Sequence, residues 1–175
     1  MTKKPHFYYK VKQNSETEAQ VKNFLQRCDD ASEQARTWAE EHGASQYIES
    51  PEGMAGGLAG LFFKGEPADG FKPVPLPDGS TLYWPEEDSD TEREMLALPV
   101  VSETELIDIF KLVPHEAKNG KKVPMTFGDT TPLLFFHPTK QCYYTDVPYK
   151  SASDELEEID EKEFYRRWGA ARNMA

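Results

Sequence analysis

From Ser15 to Gly43 apolar residues return every three or four positions, and no other stretch so narrows what this chain can fold into. Val21, Phe24, Leu25, Cys28, Ala31, Ala35, Trp38 and Ala39 fall on one stripe, the pattern of an α-helix that buries one side against a core. Ser15 with Glu18 three residues on is a capping box: the hydroxyl accepts from a backbone N–H while the carboxylate reaches back. Gly43 stands where a left-handed C-cap is wanted. At 1.5 Å per residue such a helix is ~40 Å long, enough to cross a small domain. The rest of the chain must supply what it packs on.

That remainder reads as short strands, turns and shorter helices. Phe7, Tyr9 and Val11 alternate with polar or amphipathic neighbours at the period of a half-buried strand. Residues 46–49 predict a second short strand, so the first helix either crosses over between parallel strands or joins antiparallel ones. Leu61, Phe62 and Phe63 read as a buried strand, and 66–80, rich in Pro and Gly, as an irregular surface excursion. Pro77-Asp78-Gly79 makes a turn into a strand over 81–84. A helix is predicted over 90–96, stopping before Pro99. Ser102 and Glu105 form a second capping box with Val101 and Leu106 as its staple. Leu106, Ile109, Phe110 and Val113 are the core face of that helix. After a basic loop (Lys118, Lys121, Lys122), strands are expected over 123–127, 133–136 and 141–147, with turns at Gly128-Asp129 and from His137 to Lys140. Asp160 and Glu163 cap a closing helix over 161–171 that buries Phe164 and Trp168. The expectation is a single α+β domain over 1–175. Its long N-terminal helix packs on a mixed or antiparallel sheet, with two or three shorter helices.

Charge bounds the partners. Asp and Glu number 31 against 20 Lys and Arg, a net charge of −11. A nucleic-acid backbone demands a cationic surface, so direct binding to it is not expected; a basic partner protein is compatible. No apolar run follows Met1-Thr2-Lys3-Lys4 and none reaches membrane-spanning length, which predicts a soluble, cytoplasmic protein without membrane contact. Cys28 and Cys142 are the only cysteines, and Cys28 lies on the apolar stripe as a small hydrophobe.

Four constellations carry possible chemistry. Gly53, Gly56, Gly57 and Gly60 match neither the dinucleotide fingerprint nor the phosphate loop, because they run into a strand instead of a helix. Close packing against the long helix is the favoured reading, with nucleotide binding through Gly53 to Lys64 as the alternative. His6, His42, His115 and His137 lack metal-ligand spacing, so no metal or cofactor is expected. His137 and Cys142 flank a hairpin turn and invite comparison with a Cys–His nucleophile pair; a structural role is favoured. Two acidic runs, 86–94 and 154–163, are ordinarily solvated faces. The sharper reading is a surface offered to a basic partner, nucleic-acid mimicry included. Phe62, Phe63, Phe71, Tyr83, Trp84, Tyr143 and Tyr144 are mostly core, with a minority available as interface anchors.

The run from Gly53 to Gly65, with Gly70-Phe71-Lys72-Pro73 and Tyr83-Trp84-Pro85, resembles small accessory proteins of tailed bacteriophages and prophages. The likeness spans residues 5–100 and lies in general pattern, so it transfers no functional residue. It implies a protein made in a bacterial cytoplasm that binds a host protein, including inhibitors of host defence. The function expected is therefore non-enzymatic: an acidic protein occupying a basic surface of a host protein. Its expected binding residues are Phe63, Lys64, Phe71, Trp84, Glu86, Glu87, Asp88 and Asp90, with no catalytic residue. A small nucleotide-binding enzyme or nucleotide-sequestering protein is the alternative.

Overall fold

The computed structural model describes residues 6–51, 53–115, 119–121, 123–127 and 131–173. In chain order come β1 (Phe7–Val11), α1 (Glu16–Glu41), β2 (Gln46–Ile48), β3 (Ala55–Gly56), β4 (Gly60–Phe62), β5 (Phe71–Pro75), β6 (Thr81–Pro85) and α2 (Asp90–Leu96). Then follow β7 (Val100–Val101), α3 (Glu105–Ile109), β8 (Leu112–Val113), β9 (Leu134–His137), β10 (Cys142–Val147), β11 (Lys150–Ser151), β12 (Leu156–Ile159) and α4 (Glu161–Asn173). The fold is α+β, and every pairing between these strands is antiparallel. The parallel crossover does not form, because β1 and β2 belong to different sheets. Two compact units can be distinguished, Met1–Asn23 with Glu103–Ala175, and Phe24–Ser102; α1 contributes to both.

The first unit is built on a four-stranded sheet in the order β12-β1-β10-β9. Phe135, Cys142 and Tyr144 share a core cluster with Phe164 and Ala171 of α4, and Tyr8, Leu133, Ile159 and Trp168 pack around it. Phe135 stacks on Tyr144 at 5.3 Å and meets Trp168 at 5.2 Å. Complete burial of a side chain such as Phe164 is worth ~2–3 kcal/mol in transfer terms, so aromatics carry this core. The Asp160 carboxylate accepts from the Glu163 N–H at 2.7 Å and starts α4.

The start of α1 realises the capping box with one shift. The Ser15 hydroxyl accepts from the Glu18 N–H (3.1 Å), but the Glu18 carboxylate accepts from the N–H of Asn14 (3.3 Å), one residue earlier than expected. Glu155 completes this end by accepting from the Thr17 hydroxyl at 2.8 Å and from the N–H groups of Glu16 and Thr17, each at 3.3 Å. A carboxylate here satisfies orphan donors and faces the positive end of the helix dipole. The Thr17 hydroxyl first, then those N–H groups, hold the Glu155 carboxyl below the usual carboxylate range. The second acidic run is thus partly structural. Its middle is β12, paired to β1 with Leu156 buried, so the expectation of a wholly solvated run is corrected by strand pairing at long sequence separation.

The second unit holds the sheet β2-β4-β6-β5 and the later turns of α1. Its core cluster is Ala35, Trp38, Ala39, Leu58, Leu61, Phe71 and Met95. Helix α1 closes with Gly43 N–H to Glu40 O (2.9 Å) and Ala44 N–H to Ala39 O (3.0 Å), a Schellman ending. The glycine stretch becomes β3, paired to β7 with Ala55 opposite Val101, then a turn, then β4. Strand β5 lies inside the expected irregular excursion. Pro73 and Pro75 argue against a strand in general, yet β5 is an edge strand, where the missing donors go unneeded.

Two further expectations change. Residues 123–127 form no strand, although Phe127 is buried. Helix α3 begins at Glu105 after Thr104, which provides no side-chain cap; Lys111, at φ 48°, turns the chain into β8. Lys118, Lys122 and the Gly128-Asp129 turn lie outside the described residues.

Candidate protein-docking surface

The two units differ completely in charge. Phe24–Ser102 carries sixteen Asp and Glu against five Lys and Arg, a net −11, which is the net charge of the whole chain. The other unit carries fifteen of each and is neutral. A field of one sign over one compact unit favours partners of the opposite sign and speeds encounter with them.

The first acidic run occupies the junction between β6 and α2, where Glu86, Glu87, Asp88 and Asp90 are all exposed. Lys72 lies 3.3 Å from Glu87 and Arg93 3.1 Å from Asp90, surface pairs worth little each and readily exchanged for a partner's cations. The junction is held locally. Ser89 accepts from the Glu92 N–H at 3.1 Å, while the Glu92 carboxylate accepts from the Trp84 indole N–H (3.0 Å) and the Asp88 N–H (3.3 Å). The indole bond first, and the Asp88 N–H next, hold the Glu92 carboxyl below its ordinary range. Helix α2 thereby repeats the cap that opens α1, an Asx at positive φ before Ser and a Glu three residues after it.

The aromatic residues expected beside this run mostly face inward. Phe71 is 8% exposed and belongs to the core. Phe63 is half-buried, 5.4 Å from Phe71 and 5.3 Å from Tyr83, and Trp84 is half-buried against the same cluster. Lys64 is exposed just past the end of β4. Trp84 and the four carboxylates therefore come together at one junction, whereas Phe63 and Phe71 serve as packing beneath the sheet.

A further feature lies on α1. Asp30, Glu33, Thr37 and Glu41 recur at steps of three and four on a face distinct from the buried stripe. With Gln34, Trp38 and Leu98 they line a cleft of about 530 Å³. The Trp38 indole N–H donates to Glu94 at 3.3 Å, and the His42 ring stacks 4.1 Å from Trp38 with Nε2 3.9 Å from the Glu94 carboxylate. The acidic spacing was visible in the sequence; the contribution of Leu98, distant along the chain, was not.

Comparison with family models, curated proteins and solved structures gives no match.

The other constellations read as structure. Gly56 and Gly57 are buried against protein atoms, and no helix directly follows the glycine stretch. Cys142 and His137 are opposed in the β9–β10 ladder. Cys142 is 0% exposed and His137 is buried, with its Nδ1 accepting from the Lys140 N–H at 3.1 Å. Burial first, then Arg167 and Lys140, push the His137 pKa below its ordinary value, so the ring is neutral at pH 7. A thiol with no solvent exposure cannot be attacked from bulk water. The expected result with a thiol-reactive dye is that half-buried Cys28 labels in the native protein and Cys142 only after denaturant is added. Fast native labelling of Cys142 would overturn this placement. No described helix is long and apolar enough to cross a membrane.

Proposed function

We propose that this chain is a non-enzymatic binding protein of phage type, acting in the cytoplasm of a bacterial host, whose acidic unit occupies a basic surface of a host protein and inhibits it. A host-defence protein is the kind of target in view. The observation that carries this reading is the charge partition: Phe24–Ser102 bears the entire net −11, while the other unit is neutral. Solubility alone gives no reason for such a split. A basic surface matches the field, and exposed carboxylates at the β6–α2 junction stand on a capped, packed base that orders them beforehand.

The test is surface plasmon resonance against basic proteins recovered from bacterial lysate on the immobilised full chain, at about 50 and 500 mM salt. Exposed charges are screened beyond ~8–10 Å at physiological ionic strength, so affinity is expected to fall at least tenfold across that range. In a variant carrying Glu86→Gln, Glu87→Gln, Asp88→Asn and Asp90→Asn, association is expected to slow several-fold with little change in dissociation, as rim charges do. Asparagine at position 88 tolerates the positive φ of Asp88, so the fold is expected to persist. Affinity indifferent to both salt and substitution would sink the electrostatic reading.

A further inference from the structure

The acidic unit has one concave feature among the described residues whose dimensions suit a particular kind of ligand. Asp30, Glu33, Thr37 and Glu41 follow one line along α1 and, with Gln34, Trp38 and Leu98, line an open cleft of about 530 Å³. At 1.5 Å rise per residue the line is ~17 Å long, and Glu33 and Glu41 are ~12 Å apart along the axis. An extended peptide puts residues i and i+4 on the same side at ~13 Å. Two cationic side chains four residues apart in an extended segment therefore match the spacing of Glu33 and Glu41.

We propose that this cleft receives an extended, arginine-bearing segment of the partner protein, with arginines four residues apart. The proposal rests on the reading of the unit as a binder of basic protein. Charge complementarity selects the occupant: an apolar helix laid here would desolvate the carboxylates without pairing them. Arginine is favoured over lysine because its planar fork engages carboxylates bidentately, and carboxylates dominate the polar lining of the cleft. The groups already present do not close it. Arg36 approaches Glu33 at 3.9 Å and Glu40 at 3.8 Å, both as exposed pairs, and the Gln26 amide donates to Asp30 at 3.0 Å. These are contacts a guanidinium can displace. The junction at 86–90 and the cleft then have separate roles: the first steers the encounter and the second anchors the complex.

The experiment titrates the full chain with a synthetic peptide carrying two arginines four residues apart, using calorimetry and backbone amide NMR shifts at low salt. Three proteins are compared: wild type; a cleft variant with Asp30→Asn, Glu33→Gln and Glu41→Gln; and a junction variant with Glu86→Gln, Glu87→Gln and Asp88→Asn. Both variants remove three charges, and circular dichroism checks that both fold. The expected result is an affinity loss of at least tenfold in the cleft variant and under threefold in the junction variant, with shifts concentrated in residues 30–41. A lysine peptide is expected to bind several-fold more weakly. Equal losses in both variants, shifts centred elsewhere, or no binding to wild type would overturn the cleft assignment. Those outcomes leave salt-dependent binding of the host protein standing, whereas partner binding that ignores salt defeats the underlying reading as well.

Discussion

Valine in place of Gly56 is expected to cost more than about 4 kcal/mol, enough to unfold a marginally stable unit. Gly56 sits at φ 81°, a conformation that side chains bearing a Cβ rarely adopt and that a β-branched residue all but excludes. A Cβ there would also collide with the Pro99 carbonyl oxygen and lie 2.6 Å from the Ala31 Cβ on α1. Neither neighbour can swing aside. The Pro99 carbonyl accepts from the Gly57 N–H at 3.1 Å, the Met54 N–H donates to Val101 O at 2.6 Å, and Ala31 is fixed in a buried helix face. Strain of ~1–3 kcal/mol at the backbone adds to this overlap. Gly57→Val is expected to be milder. Although φ is 61°, its nearest obstacle is Val100 Cγ2 at 2.5 Å, the end of a half-exposed side chain that can rotate. Urea unfolding followed by circular dichroism ranks the two. A Gly56→Val protein that folds with a loss under about 1 kcal/mol would show that β3 does not press on α1 as described.

Trp38→Ala is expected to destabilise by ~3–5 kcal/mol, the range for deleting a large buried aromatic. Trp38 is 8% exposed in the cluster with Leu61, Phe71 and Met95. It meets Phe71 edge-on at 6.4 Å and carries the His42 ring at 4.1 Å. Met95 of α2 and Phe71 of β5 share its core cluster and the His42 ring lies against it, so no single rotamer change refills the space. Its indole bond to Glu94 contributes less, because Glu94 is exposed and water replaces the donor. Trp38→Phe should recover more than half of the loss. Equilibrium denaturation with an unchanged m-value checks the figure. A loss below about 1 kcal/mol, the range of surface positions, would mean that the stripe of α1 faces solvent.

Local chemistry was legible in the residues themselves. Ser15-Glu18 and Asp160-Glu163 each place a hydroxyl or carboxylate within three residues of the donors it satisfies. The expected Ser102-Glu105 box does not open α3, which begins at Glu105 after Thr104 with no side-chain cap, and the Ser89 cap of α2 was a finding of the structure. The same holds for the buried stripe of α1, whose bounds Glu16–Glu41 agree with the cap and the C-terminal glycine. The exposed carboxylates at 86–90 were legible too, since a charge run after a Pro-ended strand has nowhere to be buried. The inward-facing roles of Phe63 and Phe71 were not, because alternation along a strand does not say which side holds the core.

The sequence by itself determined that this chain makes a long amphipathic helix, an α+β fold and an acidic surface, because periodicity, caps and net charge need no partner distant in the chain. Only the tertiary structure decided what pairs with what. Leu156 to Ile159 became a strand because β1 was there to receive it, and Glu155 became a cap because the start of α1 lay beside it. The prolines of β5 were tolerated because that strand ended at an edge, and Gly56 was required because Pro99 and Ala31 closed on it. Even the charge acquired meaning only in three dimensions. A net −11 is a bulk property until the fold sets unit boundaries at Phe24 and Ser102, which leave all of the net charge on one unit and the other neutral. Contacts between residues far apart in sequence are chosen by the total burial and hydrogen bonding they achieve together, a sum that no local pattern contains.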